Sequence, residues 1–256
     1  RSKDKARQAR QEILDRYPEA DVAIIDLDLG SLASVKKAAA KVAREERLDV
    51  LINNAGIMVP PYGLTVDGFE SQFGVNHLGP FALTGLLLDK LRATPDARVV
   101  STASIAHMRG KIHFDDINAE RGYNATARYA QSKIANLYFA YELQRRLSAA
   151  GDPTLSVAAH PGIADTELSR YLPKPLMALA PLFRPLFNTS AEGAWPTLCA
   201  ATWEGVQGGD DYGPSKRMVT AGPAIRVRSI RRSHDQSVSK KLWDLSIELT
   251  GVDPGL

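Results

Sequence analysis

The chain has 256 residues, 44% hydrophobic and 24% charged, with a formal net charge of +3. That balance suits one soluble globular domain over residues 1–256, and so small a charge makes no case for a nucleic-acid partner. The single cysteine, Cys199, excludes an internal disulfide, and no uncharged apolar run of about 18 residues exists to span a membrane.

Residues 3–17 read as a helix with Ala6, Ala9, Ile13 and Leu14 on one side. The apolar run Val22–Leu27, closing in Asp26-Leu-Asp28, suits a buried strand. Ser31 then caps a helix reaching to about residue 46, and Val50–Asn53 is the next strand. A helical region at 67–91 is broken near Gly79-Pro80. Residues 98–102 form a further strand, 124–149 a long helix, and 156–159 a fourth strand. Later helices fall at 190–203 and 235–249, the last closed by Gly251 and Pro254. Strands alternating with helices of this length predict an α/β fold, a doubly wound parallel sheet covered on both faces. The arginines at 226, 228, 231 and 232 read as a solvated face.

The stretch Tyr129-Ala-Gln-Ser-Lys133 lies early in the long helix, and residues four apart share a helix face. An ammonium about 4 Å from a phenol, at an effective dielectric near 20, is worth roughly 4 kcal/mol. That would carry the phenol from about 10 towards about 7, where it exchanges a proton as a general acid or base. Spacing alone is a weak signal, since Tyr212 and Lys216 repeat it. Gly213 and Pro214 forbid a helix between that second pair, which makes it a decoy. The first pair gains weight from its companions. In such sheets ligands bind outside the carboxyl ends of the strands. The strand ends here carry Asp28, Asn53-Asn-Ala-Gly56, Ser101-Thr-Ala-Ser104 and His160-Pro-Gly162.

With Asn53-Asn-Ala-Gly56, Phe73-Gly-Val-Asn76-His-Leu-Gly79, Ser104, Tyr129-x-x-x-Lys133 and Pro161-Gly-x-x-x-Thr166 in order, the chain resembles the short-chain dehydrogenase/reductase family, in its retinol-dehydrogenase-like branch. The resemblance implies that Tyr129 donates or accepts the proton and that Ser104 hydrogen-bonds the substrate oxygen. It implies that Lys133 holds the nicotinamide ribose and lowers the Tyr129 pKa, with Asn76 completing a proton relay through water. Asp28 and Leu29 would border the adenine. Asn53, Ala55 and Gly56 would line the cofactor, as would Pro161 and Gly162, and Ile163 and Thr166 would hold its carboxamide. Arg1 resembles the family's arginine for the 2′-phosphate, so NADP is expected, with NAD as the alternative. No metal is expected.

Pro80 lacks an N–H, so the Asn76 carbonyl four residues back loses its helical partner and becomes free to accept from a water. From 168 to 187 apolar residues are broken by Pro173, Pro175, Pro181 and Pro185, which reads as a substrate lid for a lipophilic aldehyde, ketone or alcohol. The same stretch could serve as a homo-oligomer patch or a membrane-surface contact. The family's glycine-rich phosphate loop has no counterpart after Arg1, so a preceding strand–helix–strand unit is expected to complete the working protein. The charged residues 1–10 are unlike a signal peptide, and a cytoplasmic location is expected. The leading reading is therefore an NADP-dependent oxidoreductase. Its rival is a non-catalytic nucleotide-binding or regulatory protein on the same fold, which an intact Ser104, Tyr129, Lys133 and Asn76 argue against. No Gly-x-Ser-x-Gly occurs to suggest a serine hydrolase.

Overall fold

The structure, a computed structural model, describes residues 2–163, 188–216 and 219–256. Arg1, Thr166 and the lid expected at 168–187 lie outside them. Four strands run parallel in chain order: β1 (Val50–Asn53), β2 (Arg98–Thr102), β3 (Leu155–Ala159) and β4 (Asp211–Lys216). A fifth, β5 (Ala221–Val227), returns antiparallel against β4 at the edge.

Alternate strand residues face opposite layers. Val99 packs with Phe81, Leu88 and Leu91 of α4 (Gly79–Arg92), with Phe139, Leu143 and Leu147 of α5 (Ala125–Ala149), and with Trp243 of the last helix (Gln236–Thr250). Its neighbour Val100 joins Val157, Ala159 and Tyr212 under Ala200 and Ala201 of the helix Ser190–Thr202. On the first of these faces, α2 (Leu32–Val42) lays Val35 and Ala39 against Ala82, Leu83 and Leu87 of α4.

Local chemistry sets the helix ends. Ser31, Asn124 and Asp235 cap their helices by accepting N–H bonds of the first turn, and Gly251 closes the last helix at φ +63°. The break expected near Pro80 is real but takes a particular form. Between the one-turn α3 (Ser71–Phe73) and α4, residues Gly74–Leu78 make a π-helical turn, with the Gly79 N–H reaching back to the Gly74 carbonyl. A wider turn at this point accommodates the hydrogen bond that proline cannot donate.

Two expectations are corrected. Val22–Leu27 is not a strand: it runs without ladder partners, and Ile24 and Ile25 are 42% and 36% exposed. A strand needs a neighbour, and among the described residues β1 pairs with β2 alone. The segment is held instead by α1 (Lys3–Arg16), through Arg10 Nε to the Val22 carbonyl at 2.8 Å and Lys3 Nζ to Asp26 at 3.3 Å. The second correction is the β4–β5 ribbon, where the sequence reading placed no strand; Gly213, Pro214, Gly222 and Pro223 are poor strand formers. An edge ribbon tolerates them, since Pro needs no partner on an open side. Tyr212 and Lys216 thus lie on a strand, and the Tyr212 hydroxyl donates to Asp210.

Asp211 opens β4 at 3% exposure, facing Tyr141 of α5, with neither carboxyl oxygen well hydrogen-bonded among the described residues. Burial pushes its pKa up to about 7, the nearby Tyr212 N–H pulling it back only partly. The unfolded chain titrates this group near 3.9, so folding is penalised progressively as pH rises from about 4 to about 7, by up to roughly 4 kcal/mol. Asp211→Asn should therefore melt several degrees higher than the parent at pH 8 and at nearly the same temperature at pH 4. Parallel melting curves at both pH values would refute it.

Candidate active site

The carboxyl end of β2 meets the first turns of α5 through the Thr102 carbonyl. Strand β2 ends at Thr102, and Ser104 caps the 3-10 turn Ile105–Arg109 by accepting the Ala106 N–H at 3.2 Å. Because that bond uses an Oγ lone pair, the hydroxyl proton of Ser104 stays available. The turn lies against α5 so closely that a Cβ on Gly110 would sit 2.4 Å from the Ala130 carbonyl and 2.7 Å from Ile134 Cγ2. Glycine is required here by space, and the contact sets the Ser104 turn against the Tyr129 helix.

Tyr129 and Lys133 do share a helix face, as their spacing requires, and both are buried. The Lys133 ammonium stands 5.8 Å from the centre of the Tyr129 ring and donates to the Thr102 carbonyl at 3.1 Å. Asn136, one turn on, donates to the same carbonyl at 2.9 Å. The expected lowering of the Tyr129 pKa is corrected by this geometry. Burial pushes the phenol above its ordinary value, with only the hydrogen bond to Ser104 pulling it back. Burial also brings Lys133 down to about 8. Desolvation favours the neutral form of both groups, and at this distance the ammonium does not reverse it.

Asn76, on the π turn, has no exposed surface. Its Oδ1 accepts the Ile57 N–H at 2.8 Å, and its Nδ2 donates to the Ile57 carbonyl and to Ser132 Oγ, both at 2.9 Å. Ser132 Oγ in turn donates to the Tyr129 carbonyl at 2.8 Å. This side chain therefore ties the loop after β1 to the Tyr129 helix. Gly56 fits between them: a Cβ there would lie 3.1 Å from Asn76 Oδ1 and 3.5 Å from Lys133 Nζ.

The remaining predicted residues spread along the other strand ends. Asn53 is buried and donates to Thr84 Oγ1 at 3.0 Å, while Ala55 is exposed. Asp28 turns its carboxylate onto the Gly30 N–H at 2.9 Å, and Leu29 presses its carbonyl against Gly79, where a Cβ would come within 2.5 Å. Past β3, Pro161 accepts from Asn188 Nδ2 at 3.4 Å, Gly162 takes φ +72°, and the Ile163 N–H donates to the Thr220 carbonyl at 2.8 Å. The structure thus brings Ser104, Tyr129, Lys133, Asn76 and Gly56 into one cluster, while Asp28, Leu29, Asn53 and Pro161–Ile163 stand in the loops at adjoining strand ends.

The profile of the short chain dehydrogenase family matches residues 1–176. The chain belongs to that family. Retinol dehydrogenase 14 of Mus musculus is 40% identical over 270 residues, covering 98% of this chain and 76% of its own. An uncharacterized Mycobacterium paratuberculosis protein of known structure superposes with a TM-score of 0.77 at 41% identity, over 97% of this chain and 82% of that one. A blue fluorescent protein from a metagenomic library, solved in complex with NADPH, gives 0.56 at 25% identity, over 82% and 80%. Membership of the retinol-dehydrogenase-like branch makes the chain an NAD(P)-dependent oxidoreductase acting on CH–OH or C=O groups.

The sequence reading missed Ser132, Asn136, the Thr102 carbonyl and His107. Ser132 and Asn136 sit three and seven residues after Tyr129, and a count of polar residues on that helix face would have found them. The other two depend on contacts between distant segments. Gly110→Ala should be overpacked, by about 1–3 kcal/mol. It should lower the melting temperature and also displace Ser104 from Tyr129, so that kcat falls. An unchanged melting temperature would show that the close approach is not maintained in solution.

Proposed function

We propose that the chain is an NADP-dependent oxidoreductase, with NAD as the alternative, that interconverts the carbonyl and alcohol of a lipophilic small molecule, Tyr129 serving as general acid and base. The observation that carries this reading is the convergence of the Ser104 hydroxyl, the Tyr129 phenol and the Lys133 ammonium where β2 ends. A nicotinamide bound there supplies or accepts the hydride. Its fit rests on Lys133, whose buried ammonium has no carboxylate partner among the described residues, and on the bare backbone of Gly56 beside it. That pairing of a cation with a Cβ-free approach suits the hydroxyls of a ribose.

Tyr129 stands above its ordinary pKa and is therefore a phenol throughout the physiological range, ready to donate. In reduction the hydride goes to the carbonyl carbon, the C=O π electrons pass to oxygen, and Tyr129 Oη delivers the proton to that oxygen. Oxidation reverses each transfer. Ser104, its lone pair taken by Ala106, directs its proton at the same oxygen. Lys133 remains an ammonium below pH about 8 and holds the cofactor ribose. With the cofactor bound, Asn53, Ala55, Gly56, Pro161 and Gly162 would line it, Asp28 and Leu29 would border the adenine, and Ile163 and Thr166 would hold the carboxamide. Arg1 would pair the 2′-phosphate of NADP. The apolar residues at 168–187 would cover the substrate, a role supported by their composition and by the retinol named for the relatives. No helix among the described residues is long and apolar enough to cross a membrane.

Removal of a positioned general acid commonly lowers turnover by about 10²–10⁴-fold. Tyr129→Phe should fall in that range while folding normally, and turnover of an apolar aldehyde within tenfold of the parent would sink the assignment. If the substrate pocket is apolar, each buried CH₂ adds about 0.8 kcal/mol, or nearly fourfold. The kcat/KM for straight-chain aldehydes should then climb with length, and a flat series would remove the lipophilic substrate from the reading.

A further inference from the structure

His107 lies within the 3-10 turn after Ser104, 2% exposed and without any contact to the reacting groups in the reading above. Its backbone N–H donates to the Ser104 carbonyl at 2.9 Å, and its ring Nδ1 approaches the same oxygen at 2.6 Å. A carbonyl only accepts, so Nδ1 must carry the hydrogen, and the ring is fixed as one tautomer. Nε2 is then left bare, and the Ile230 N–H points at it from 3.5 Å. The next residue is tied to the same distant segment, since Arg232 donates to the Met108 carbonyl at 2.9 Å.

Buried surroundings keep this imidazole neutral, with the Arg232 cation adding to the effect. His160, whose Nδ1 accepts the Gly162 N–H at 3.3 Å, lies close enough for His107 to oppose its charging. A neutral ring with a fixed tautomer is therefore a rigid strut between the Ser104 carbonyl and the segment that begins at Ile230. Ser104 sits half inside a turn of only five residues. Its carbonyl direction sets the peptide plane that follows Ser104, and with it the backbone frame from which Oγ reaches the Ala106 N–H.

We propose that His107 is a positioning residue for Ser104, aiming its hydroxyl at the substrate oxygen through the Nδ1–H bond to the Ser104 carbonyl. This rests on the site reading given above, in which Ser104 binds that oxygen. A bland alternative is that His107 merely fills space, and two substitutions separate the roles. His107→Asn keeps an N–H near the Nδ1 position but leaves a void. His107→Phe fills the volume and has no donor.

The test measures kcat for an apolar aldehyde, the dissociation constant of NADPH and the melting temperature for both variants, alone and combined with Ser104→Ala. Positioning predicts that His107→Phe loses about tenfold or more in kcat with NADPH affinity within twofold of the parent. It predicts that His107→Asn stays within about threefold despite a lower melting temperature. In the Ser104→Ala background His107→Phe should cost nothing further, because residues acting as a unit are not additive. If His107→Phe keeps its turnover, if the Asn and Phe variants fall alike, or if the losses add in the double variant, the strut role is wrong. If Ser104→Ala alone leaves kcat unchanged, the site reading fails and this inference fails with it. That outcome is distinct from a costly Ser104→Ala with an indifferent His107→Phe, which overturns only the role of His107.

Discussion

Lys133 puts an ammonium inside the protein with a backbone carbonyl as its hydrogen-bond partner and no carboxylate paired with it among the described residues. Removing a charge from water without a counter-charge is costly, and the drop of its pKa to about 8 is the mark of that cost. The arrangement holds only because the surroundings leave the side chain nowhere better to go. Asn136 shares the Thr102 carbonyl and keeps it turned towards α5. Gly56 and Asn76 close the opposite side. A buried cation without its anion is a poor device for stability and a good one for binding, because a ligand that supplies oxygen atoms recovers solvation the fold has withheld. The sheet and its helices serve this one group: β2 must end at Thr102, and α5 must begin early enough to place residue 133 beside it.

Much of the architecture was legible because it rests on local chemistry. Ser31, Asn124 and Asp235 announce their helices through side-chain bonds made within three residues, and β1, β2 and β3 are apolar runs in register with one another. What escaped depended on partners far along the chain. The run at Val22–Leu27 has a strand's composition, but composition does not supply a neighbouring ladder, and the residues stay extended beside α1. The β4–β5 ribbon has the composition of a turn and becomes strand because β3 offers it an edge. Nothing in the sequence around Gly110 signals that the Ala130 carbonyl lies against it.

The electrostatics of the pair at Tyr129 shows a different kind of gap. Spacing gave the correct face and a sound Coulomb attraction, yet it left out the desolvation that comes with burying both groups. A pairwise argument counts only the stabilisation of charge by charge. Inside the protein the neutral forms gain more, and a phenol above its ordinary pKa is suited to donation rather than to standing as phenolate.

Asn76 links the loop after β1 to the Tyr129 helix. It has two groups to offer a proton pathway, the side-chain amide and the main-chain carbonyl. The amide is committed at both ends: its oxygen faces the Ile57 N–H and its nitrogen faces the Ile57 carbonyl and Ser132, so the backbone itself dictates its orientation. A water ordered by Asn76 would be held by the main-chain carbonyl or by the second lone pair of Oδ1. That carbonyl belongs to the π turn, and the residue four places on is Pro80, which has no N–H to give it. The side chain thus works as a latch between the loop after β1 and the Tyr129 helix, while the proline leaves the carbonyl short of its α-helical donor. The difference between the two groups lies four positions further on, where three side-chain carbons close the Pro80 ring on its nitrogen and remove a hydrogen.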